Sequence, residues 1–212
     1  VESGNTLCGP FVGKVMASAL AMGESNACMK RIVAAPTAGA CGVLPAVLVN
    51  YQKEKGTADE QIVRALYTAA GIGQVVAARA YIAGASGGCQ AEIGTASAMA
   101  AGALTALGGG TPSQITHAAA MALKNLLGLV CDPVGGLVEV PCVKRNVIGS
   151  VNALSAADMA LAGIISRIPP DQVIDAMREV GDQMHPSLRE TGQGGLANTP
   201  AAREWCAAQE EE

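Results

Sequence analysis

Apolar residues recur along most of the chain at intervals of three and four, the spacing of helices with one buried face. The region 59–83 shows this most clearly, and its apolar or small face contains Ile62, Leu66, Ala69, Gly73, Val76 and Ala80. Further helices are predicted over 12–29, 43–53, 89–107, 112–129, 145–167 and 170–183. The two-residue alternation typical of strands does not persist anywhere. We therefore predict an all-α fold, a compact helical bundle.

Segments rich in glycine and proline interrupt these helices at 30–45, 84–88 and 130–144. Such composition is typical of loops, and these loops hold most of the candidate functional residues. Thr111 is predicted to cap the helix that begins at Pro112.

The domain organisation follows from the same pattern. We expect a single helical domain over 1–184 and a C-terminal tail segment over 185–212. The tail is predicted to be irregular or only weakly helical, and it ends in three glutamates.

Two long uncharged stretches, 32–52 and 93–123, reach the length of about 20 residues that a membrane-spanning helix needs. Glycines and prolines divide both of them, and no aromatic residues flank them as a belt. We therefore predict buried helices of a protein that does not enter the membrane, with a membrane bundle as the alternative.

Composition limits the classes of function. Half of the residues are hydrophobic but only 2% are aromatic, so the core must consist of small side chains and closely packed helices. The net charge of −4, without a basic block, argues against nucleic-acid binding. The chain has seven cysteines, an odd number that argues against a disulfide framework and favours the reducing cytoplasm.

Four cysteines share a setting on the Gly/Pro-rich loops, namely Cys41, Cys89, Cys131 and Cys142. A helix N-terminus lowers the pKa of a nearby thiol, and glycines allow backbone amides to approach sulfur. Cys89, Cys131 and Cys142 are therefore predicted to be metal ligands. For Cys8 and Cys28 the ordinary helical context instead favours packing as small buried hydrophobic residues.

The identity of the metal stays open at this point. The chain contains no CxxC pair, so the usual zinc-finger spacing is absent. Three thiolates around a four-iron cluster would leave one iron free to bind a substrate hydroxyl or carboxylate. A zinc site with three cysteine ligands fits the spacing equally well.

Four segments resemble the iron–sulfur-dependent L-serine dehydratase family, in its alpha subunit or alpha domain. They are IVAAPTAGACGVLPAVL (32–48), GASGGCQAEIGTASAMAAGAL (84–104), CDPVGGLVEVPCVKRN (131–146) and MHPSLRETGQGGLANTP (184–200). The resemblance covers nearly all of 24–200, with the four motifs in the family's order.

The resemblance implies a helical lyase domain with a [4Fe–4S] cluster on Cys89, Cys131 and Cys142. It implies deamination of L-serine to pyruvate and ammonia, a reaction of amino-acid catabolism and gluconeogenesis, in the cytoplasm. A beta domain or beta subunit with a Ser-Ser-His-Thr motif and the catalytic histidines completes the family's active site. That motif is not in this sequence, so we expect the general base to lie outside this chain. We also expect a homo-oligomer.

In the family, a cysteine near the C-terminus can occupy the fourth iron. Cys206 is the candidate here, although six residues follow it where the family's cysteine is nearly terminal. Cys41 shares the loop chemistry of the ligands but not their assignment, so we expect it near the site without a bond to iron.

Substrate binding needs amides, hydroxyls or cations for the serine carboxylate. Thr37, Ser86, Lys144 and Arg145 lie on or near the loops and are the predicted substrate-binding residues.

Carboxylates and histidines complete the set of polar candidates. Asp132 and Glu139 are candidates for the substrate ammonium, with loop capping as the alternative. His117 is predicted to be a packed or partly exposed helix residue, and His185 is not favoured as a base.

Two other functions fit the same residues. One is an L-cysteine desulfidase-like lyase on the same scaffold. The other is a non-catalytic metal-binding helical domain, either a structural zinc domain or a redox sensor.

Overall fold

The computed structural model describes residue 1 and residues 3–210. Within these residues the chain forms nine α-helices and no β-strand, which confirms the predicted all-α class. The helices are α1 (Gly9–Ala27), α2 (Val43–Lys55), α3 (Asp59–Arg79), α4 (Gly84–Gly87), α5 (Thr95–Leu107), α6 (Pro112–Lys124), α7 (Cys142–Leu161), α8 (Pro170–Gln183) and α9 (Pro200–Glu210). None of the described helices combines the length and the apolar character needed to cross a membrane.

Helix α5 is the centre of the bundle. Every residue from Thr95 to Thr105 is buried, and the helix packs against α2, α3, α6 and α7. Small residues allow this packing, as Gly149 of α7 shows. A Cβ atom there would lie 2.9 Å from Ile93 Cγ2 and 3.1 Å from Val43 Cγ2. The predicted core of small side chains and close helices is therefore confirmed.

Several helix ends differ from the prediction for identifiable reasons. The predicted helix 89–107 consists of a π-helical turn, Gln90–Gly94, followed by α5. The predicted helix 145–167 begins at Cys142 and ends at Leu161, because Gly163 adopts the left-handed conformation (φ +88°) that ends helices. Thr111 caps α6 in a capping box with Gln114, as predicted.

The tail is more regular than predicted. Two 3₁₀ turns, Pro186–Leu188 and Gly195–Asn198, lead into α9, an 11-residue helix. Pro200 begins this helix, and the Thr199 hydroxyl accepts a hydrogen bond from the Ala202 amide at 3.3 Å. The last two residues of the predicted tail, 211 and 212, lie outside the described residues.

Cys8 and Cys28 correct a further prediction. Both are exposed, because α1 runs only from Gly9 to Ala27 and the two cysteines lie just outside its ends. Neither packs in the core as a small hydrophobic residue.

Candidate metal centre

Three thiols from distant parts of the chain meet in the interior. Cys89 precedes the π-helical turn, Cys131 pairs with Arg189 in an isolated parallel bridge, and Cys142 is the first residue of α7. All three are buried; the sulfurs of Cys89 and Cys131 lie within 4.8 Å of each other, and Cys131 and Cys142 line the same cavity. The fold thus brings together the three cysteines that were predicted to be metal ligands.

The three thiols share a negative charge. The neighbouring thiols of Cys131 and Cys142, helped by the positive charge of Arg145, lower the pKa of Cys89 to about 3. Interaction with Cys89, together with burial, raises the pKa of Cys131 and of Cys142. One ionised sulfur beside two neutral thiols is a donor set for a soft metal. Such a metal would bind the three sulfurs and displace the two remaining protons.

Glu92 lies beside the thiols. Its carboxylate and the sulfurs of Cys89 and Cys131 all lie within 4.8 Å of one another. The Thr37 hydroxyl donates a hydrogen bond of 2.7 Å to Glu92 Oε1, and burial raises the pKa of Glu92 to about 7. The sequence prediction missed this residue, yet a signal exists: Glu92 is the only Asp, Glu, Lys or Arg between Arg79 and Lys124.

Two glycines allow the backbone to approach this group. A Cβ atom at Gly84 would lie 2.8 Å from Cys131 Sγ and 3.0 Å from Glu92 Oε2. A Cβ atom at Gly39 would lie 3.1 Å from Glu92 Oε2. The glycines of the loops 30–45 and 84–88 therefore have a packing role at the site.

A cavity of about 390 Å³ opens in front of the thiols. Its lining combines Cys131, Cys142, Glu92 and Glu190 with Asn26, Ala27, Met29, Ala38, Gly39, Pro133, Gly136, Leu137 and Val138. The volume falls within the range of about 300–1,000 Å³ that is usual for small-molecule sites. The arrangement can place a small polar molecule against two cysteines and two carboxylates.

Comparison with known proteins identifies the family of this chain. The family model described as "Serine dehydratase alpha chain" matches residues 1–197. The chain belongs to the serine dehydratase alpha chain family. It is 56% identical over 204 residues to the "Probable L-serine dehydratase, alpha chain" of Bacillus subtilis (strain 168), covering 96% of this chain and 68% of that one.

Other family members include proteins of different length. The "L-serine dehydratase, alpha chain" of Peptoniphilus asaccharolyticus is 51% identical over 198 residues, which are 93% of this chain and 68% of that one. "L-serine dehydratase TdcG" of Escherichia coli (strain K12) is 48% identical over 181 residues, which are 84% of this chain but only 40% of the relative.

In this member of the serine dehydratase alpha chain family, the predicted substrate-binding residues occupy different surroundings. Thr37 is half-buried and holds Glu92. Ser86 and Lys144 are exposed and do not line the cavity. The Arg145 guanidinium is mostly buried and donates to Cys89, to a backbone carbonyl and to Asp132.

The two carboxylates that were candidates for binding the substrate ammonium also lie in different surroundings. One carboxylate oxygen of Asp132 accepts from Arg145 at 2.8 Å and the other accepts from the Leu196 amide at 2.8 Å. These contacts correspond to the loop-capping alternative for Asp132. Glu139 is exposed and does not line the cavity.

Asn146 is a second residue that the sequence prediction missed. Its side chain is buried, and its Nδ2 donates to the carbonyls of Gly39 and Cys142, both at 2.9 Å. Its Oδ1 accepts from the Gly42 amide at 2.8 Å. Asn146 thereby fastens the loop that carries Thr37 to the turn of α7 that carries Cys142.

The tail contributes backbone groups to the site. The Cys131 amide donates to the Leu188 carbonyl at 2.8 Å, and the Glu190 amide donates to the Cys131 carbonyl at 2.7 Å. Glu190 adopts a left-handed conformation (φ +64°) and lines the cavity. The tail therefore fixes both the main chain at Cys131 and one wall of the cavity.

Cys41 and Cys206 have other contacts. Cys206 is half-buried on α9, with its sulfur 3.3 Å from the place that a Cβ atom of Gly135 would occupy, and it does not line the cavity. Cys41 is buried and donates to the Met22 carbonyl at 3.6 Å.

Neither histidine lines the cavity. His117 is half-buried on α6, as predicted, and its Nδ1 has no hydrogen-bond partner among the described residues. His185 is exposed, and its Nδ1 accepts a hydrogen bond from the Ser187 amide at 3.2 Å.

Proposed function

We propose that this chain is the cluster-binding part of an L-serine dehydratase, a lyase that converts L-serine to pyruvate and ammonia. The observation that carries the proposal is the meeting of Cys89, Cys131 and Cys142 beside the cavity. The names of the family members support the same substrate. Since these names all refer to L-serine dehydration, they do not favour the L-cysteine desulfidase alternative.

The residues fit the proposed cofactor, a [4Fe–4S] cluster held by the three cysteines. The thiols are buried and adjacent, and one of them is readily ionised. Gly84 leaves room for Cys131, and two of the cysteines line the cavity. Bound there, the cluster would supply a Lewis acid that helps the β-hydroxyl to leave.

The chain's own side chains handle the substrate amino group. We assign the ammonium of L-serine to Glu92, which faces the cavity with its carboxylate held by Thr37. Glu190 adds a second negative charge to the same cavity. Opposite charges in a partly buried cavity attract more strongly than in water, so this wall favours amino acids over acids without the amino group.

The α-proton requires a base from elsewhere. No histidine lines the cavity within the described residues, which supports the proposal that a beta domain or beta subunit supplies the base.

Cys206, on a helix next to the 131–142 loop, remains the proposed tail ligand of the fourth iron. A homo-oligomer in the cytoplasm and a metabolic role in amino-acid catabolism and gluconeogenesis complete the proposal.

Anaerobic reconstitution with iron and sulfide tests the cofactor. We expect iron, sulfide and the visible absorption of a [4Fe–4S] cluster in the purified chain. Single replacement of Cys89, Cys131 or Cys142 by alanine should abolish cluster binding, because each removes a ligand. Cys28→Ala, at an exposed cysteine, is the matched control. Stoichiometric zinc without sulfide would refute the cluster and support the metal-binding domain instead.

Activity tests the substrate. The chain combined with its beta chain should release pyruvate and ammonia from L-serine, and it should release little sulfide from L-cysteine. Sulfide release that exceeds pyruvate formation from L-serine would reverse the assignment.

A further inference from the structure

The Arg145 guanidinium is buried beside the thiols and has three partners. Its Nη1 donates to Cys89 Sγ at 3.3 Å and to the Val130 carbonyl at 2.7 Å, and its Nη2 donates to Asp132 Oδ1 at 2.8 Å. Only 13% of the Arg145 side chain and 4% of the Asp132 side chain are exposed. Three hydrogen bonds fix the position of this mostly buried charge, so the guanidinium is held against Cys89.

The planar fork of arginine explains how one side chain makes these contacts. Its donors point in fixed directions within one plane, whereas a lysine ammonium is a single point charge. Arg145 lies in the first turn of α7, three residues after Cys142. The same helical turn therefore carries one of the three cysteines and the residue that holds another.

Asp132 extends the contact to the tail. Its second carboxylate oxygen accepts the Leu196 amide at 2.8 Å. Gly195 has a left-handed φ of +60°, and a Cβ atom there would collide with the Asp132 carboxylate. A continuous series of hydrogen bonds thus runs from Leu196 through Asp132 and Arg145 to the sulfur of Cys89.

We propose that Arg145 is a positioning residue for Cys89, and that Asp132 couples it to the tail segment 194–196. The inference rests on the proposed function, since its target is the thiolate that would ligate the cluster. Arg145 does not line the cavity, so this role replaces the predicted binding of the substrate carboxylate. A charged N–H donor to a ligand sulfur stabilises electron density on a cluster, which raises its reduction potential and slows its loss.

The first test compares reconstituted clusters in the whole chain. Arg145→Lys keeps the charge but loses the fork, and Arg145→Met loses both. Lys144→Met is the matched control, because it removes one positive charge from an exposed neighbour on the same helix. We would measure the reduction potential by an EPR-monitored titration, and iron release to a chelator.

We expect a lower potential and several-fold faster iron release in Arg145→Met, with wild-type values in Lys144→Met. In Arg145→Lys the reduction potential should also be lower, and iron release faster, than in wild type. Wild-type values in Arg145→Met would overturn the proposal. Wild-type values in Arg145→Lys would overturn the role of the N–H···S hydrogen bond.

The second test avoids an unpaired buried charge and needs no cluster. The double variant Asp132→Ala with Arg145→Met removes both charges, so that neither is left buried without its partner. Trypsin should cleave after half-buried Arg189 several-fold faster than in wild type, because the Leu196 amide has lost its acceptor. Cleavage after exposed Arg203 is the internal control.

An unchanged rate at Arg189 would refute the coupling to the tail. Wild-type protein that takes up no cluster would instead refute the proposed function, so the two failures are distinguishable.

Discussion

Glu92 shows at the scale of one residue how burial produces a functional group. The carboxylate is held by Thr37, and its pKa is raised to about 7, chiefly because burial disfavours its charged form and further because Cys89 and Glu190 are negatively charged. An ammonium group in the cavity would offset that cost by pairing with the carboxylate. Glu92 is therefore placed to distinguish an amino acid from an acid without the amino group.

Replacing Glu92 by glutamine tests this role. The change keeps the shape and the Thr37 contact but removes the charge. Hydrogen bonds to charged groups contribute about 1.5–3 kcal/mol, so the KM for L-serine should rise about tenfold or more. The measurement uses steady-state kinetics of the complete enzyme with its beta chain, with the cluster absorbance as a check on loading.

Glu139→Gln, at an exposed position outside the cavity, is the control for a lost negative charge. Inhibition by a hydroxy acid that lacks the amino group should be unaffected in Glu92→Gln. An unchanged KM for L-serine would contradict the assignment.

Gly84 gives a second prediction at the residue scale. In Gly84→Ala the new methyl group would lie 2.8 Å from Cys131 Sγ, so the thiol or the backbone must move. We expect markedly lower iron occupancy after reconstitution and a lower Tm. Gly71→Ala is the matched control, because nothing lies within 4 Å of its Cβ position on α3. That variant should be stabilised by up to about 1 kcal/mol; equal iron contents in the two variants would show that Gly84 is not needed for close packing.

At the scale of elements, the site depends on how a loop and a helix are joined. Asn146 joins the two, because its side chain makes hydrogen bonds to the backbone at Gly39, Gly42 and Cys142. Its replacement by alanine leaves buried backbone groups without partners.

Each unsatisfied group costs about 1–3 kcal/mol, so Asn146→Ala should lower the free energy of unfolding by about 2–5 kcal/mol. Urea denaturation of the chain measures this, with Lys144→Ala on the same helix as the control. A loss below about 1 kcal/mol in Asn146→Ala would show that the loop is held by other contacts.

The helices were more predictable than the contacts between them. Apolar spacing located α3, Pro170 located the start of α8, and Thr111 with Pro112 located the start of α6, because these signals act within one or two turns. The π-helical turn at Gln90–Gly94 has no such local signal. The helix at Pro200–Glu210 was underestimated because its composition is polar and its start depends on the Thr199 cap.

The site residues likewise differ in how far the sequence alone predicts them. The Gly/Pro setting identified the three cysteines that meet, because loops with special backbone requirements can be recognised in a sequence. Asn146, by contrast, has partners up to 107 residues away, and Arg145 reaches Cys89 56 residues away. Periodicity contains no information about such partners, so the roles of these two side chains require the tertiary structure.

At the scale of the whole molecule, the tail is part of the site. Residues 188 and 190 pair with the backbone of Cys131, whereas Cys206 lies on a later helix. Two truncations separate these contributions. Ending the chain after residue 203 removes Cys206 and should preserve cluster loading, with a changed EPR signal if Cys206 binds the fourth iron.

Ending the chain after residue 187 should abolish loading, because Cys131 loses both backbone partners. Iron and sulfide analysis of the two truncated chains is the measurement. Equal loading would contradict a structural role for 188–196, and an unchanged EPR signal in the shorter deletion would exclude Cys206 as a ligand.

The pairing of Cys131 with Arg189 also orders events during synthesis. A ribosome makes the three cysteines well before it makes the segment that holds one of them in place. A nascent chain whose Cys142 has just left the ribosome therefore carries all three thiols but lacks the backbone segment that pairs with Cys131. The proposed cluster could therefore be inserted only after residues 188–190 have emerged, and the three thiols would have to stay reduced until then.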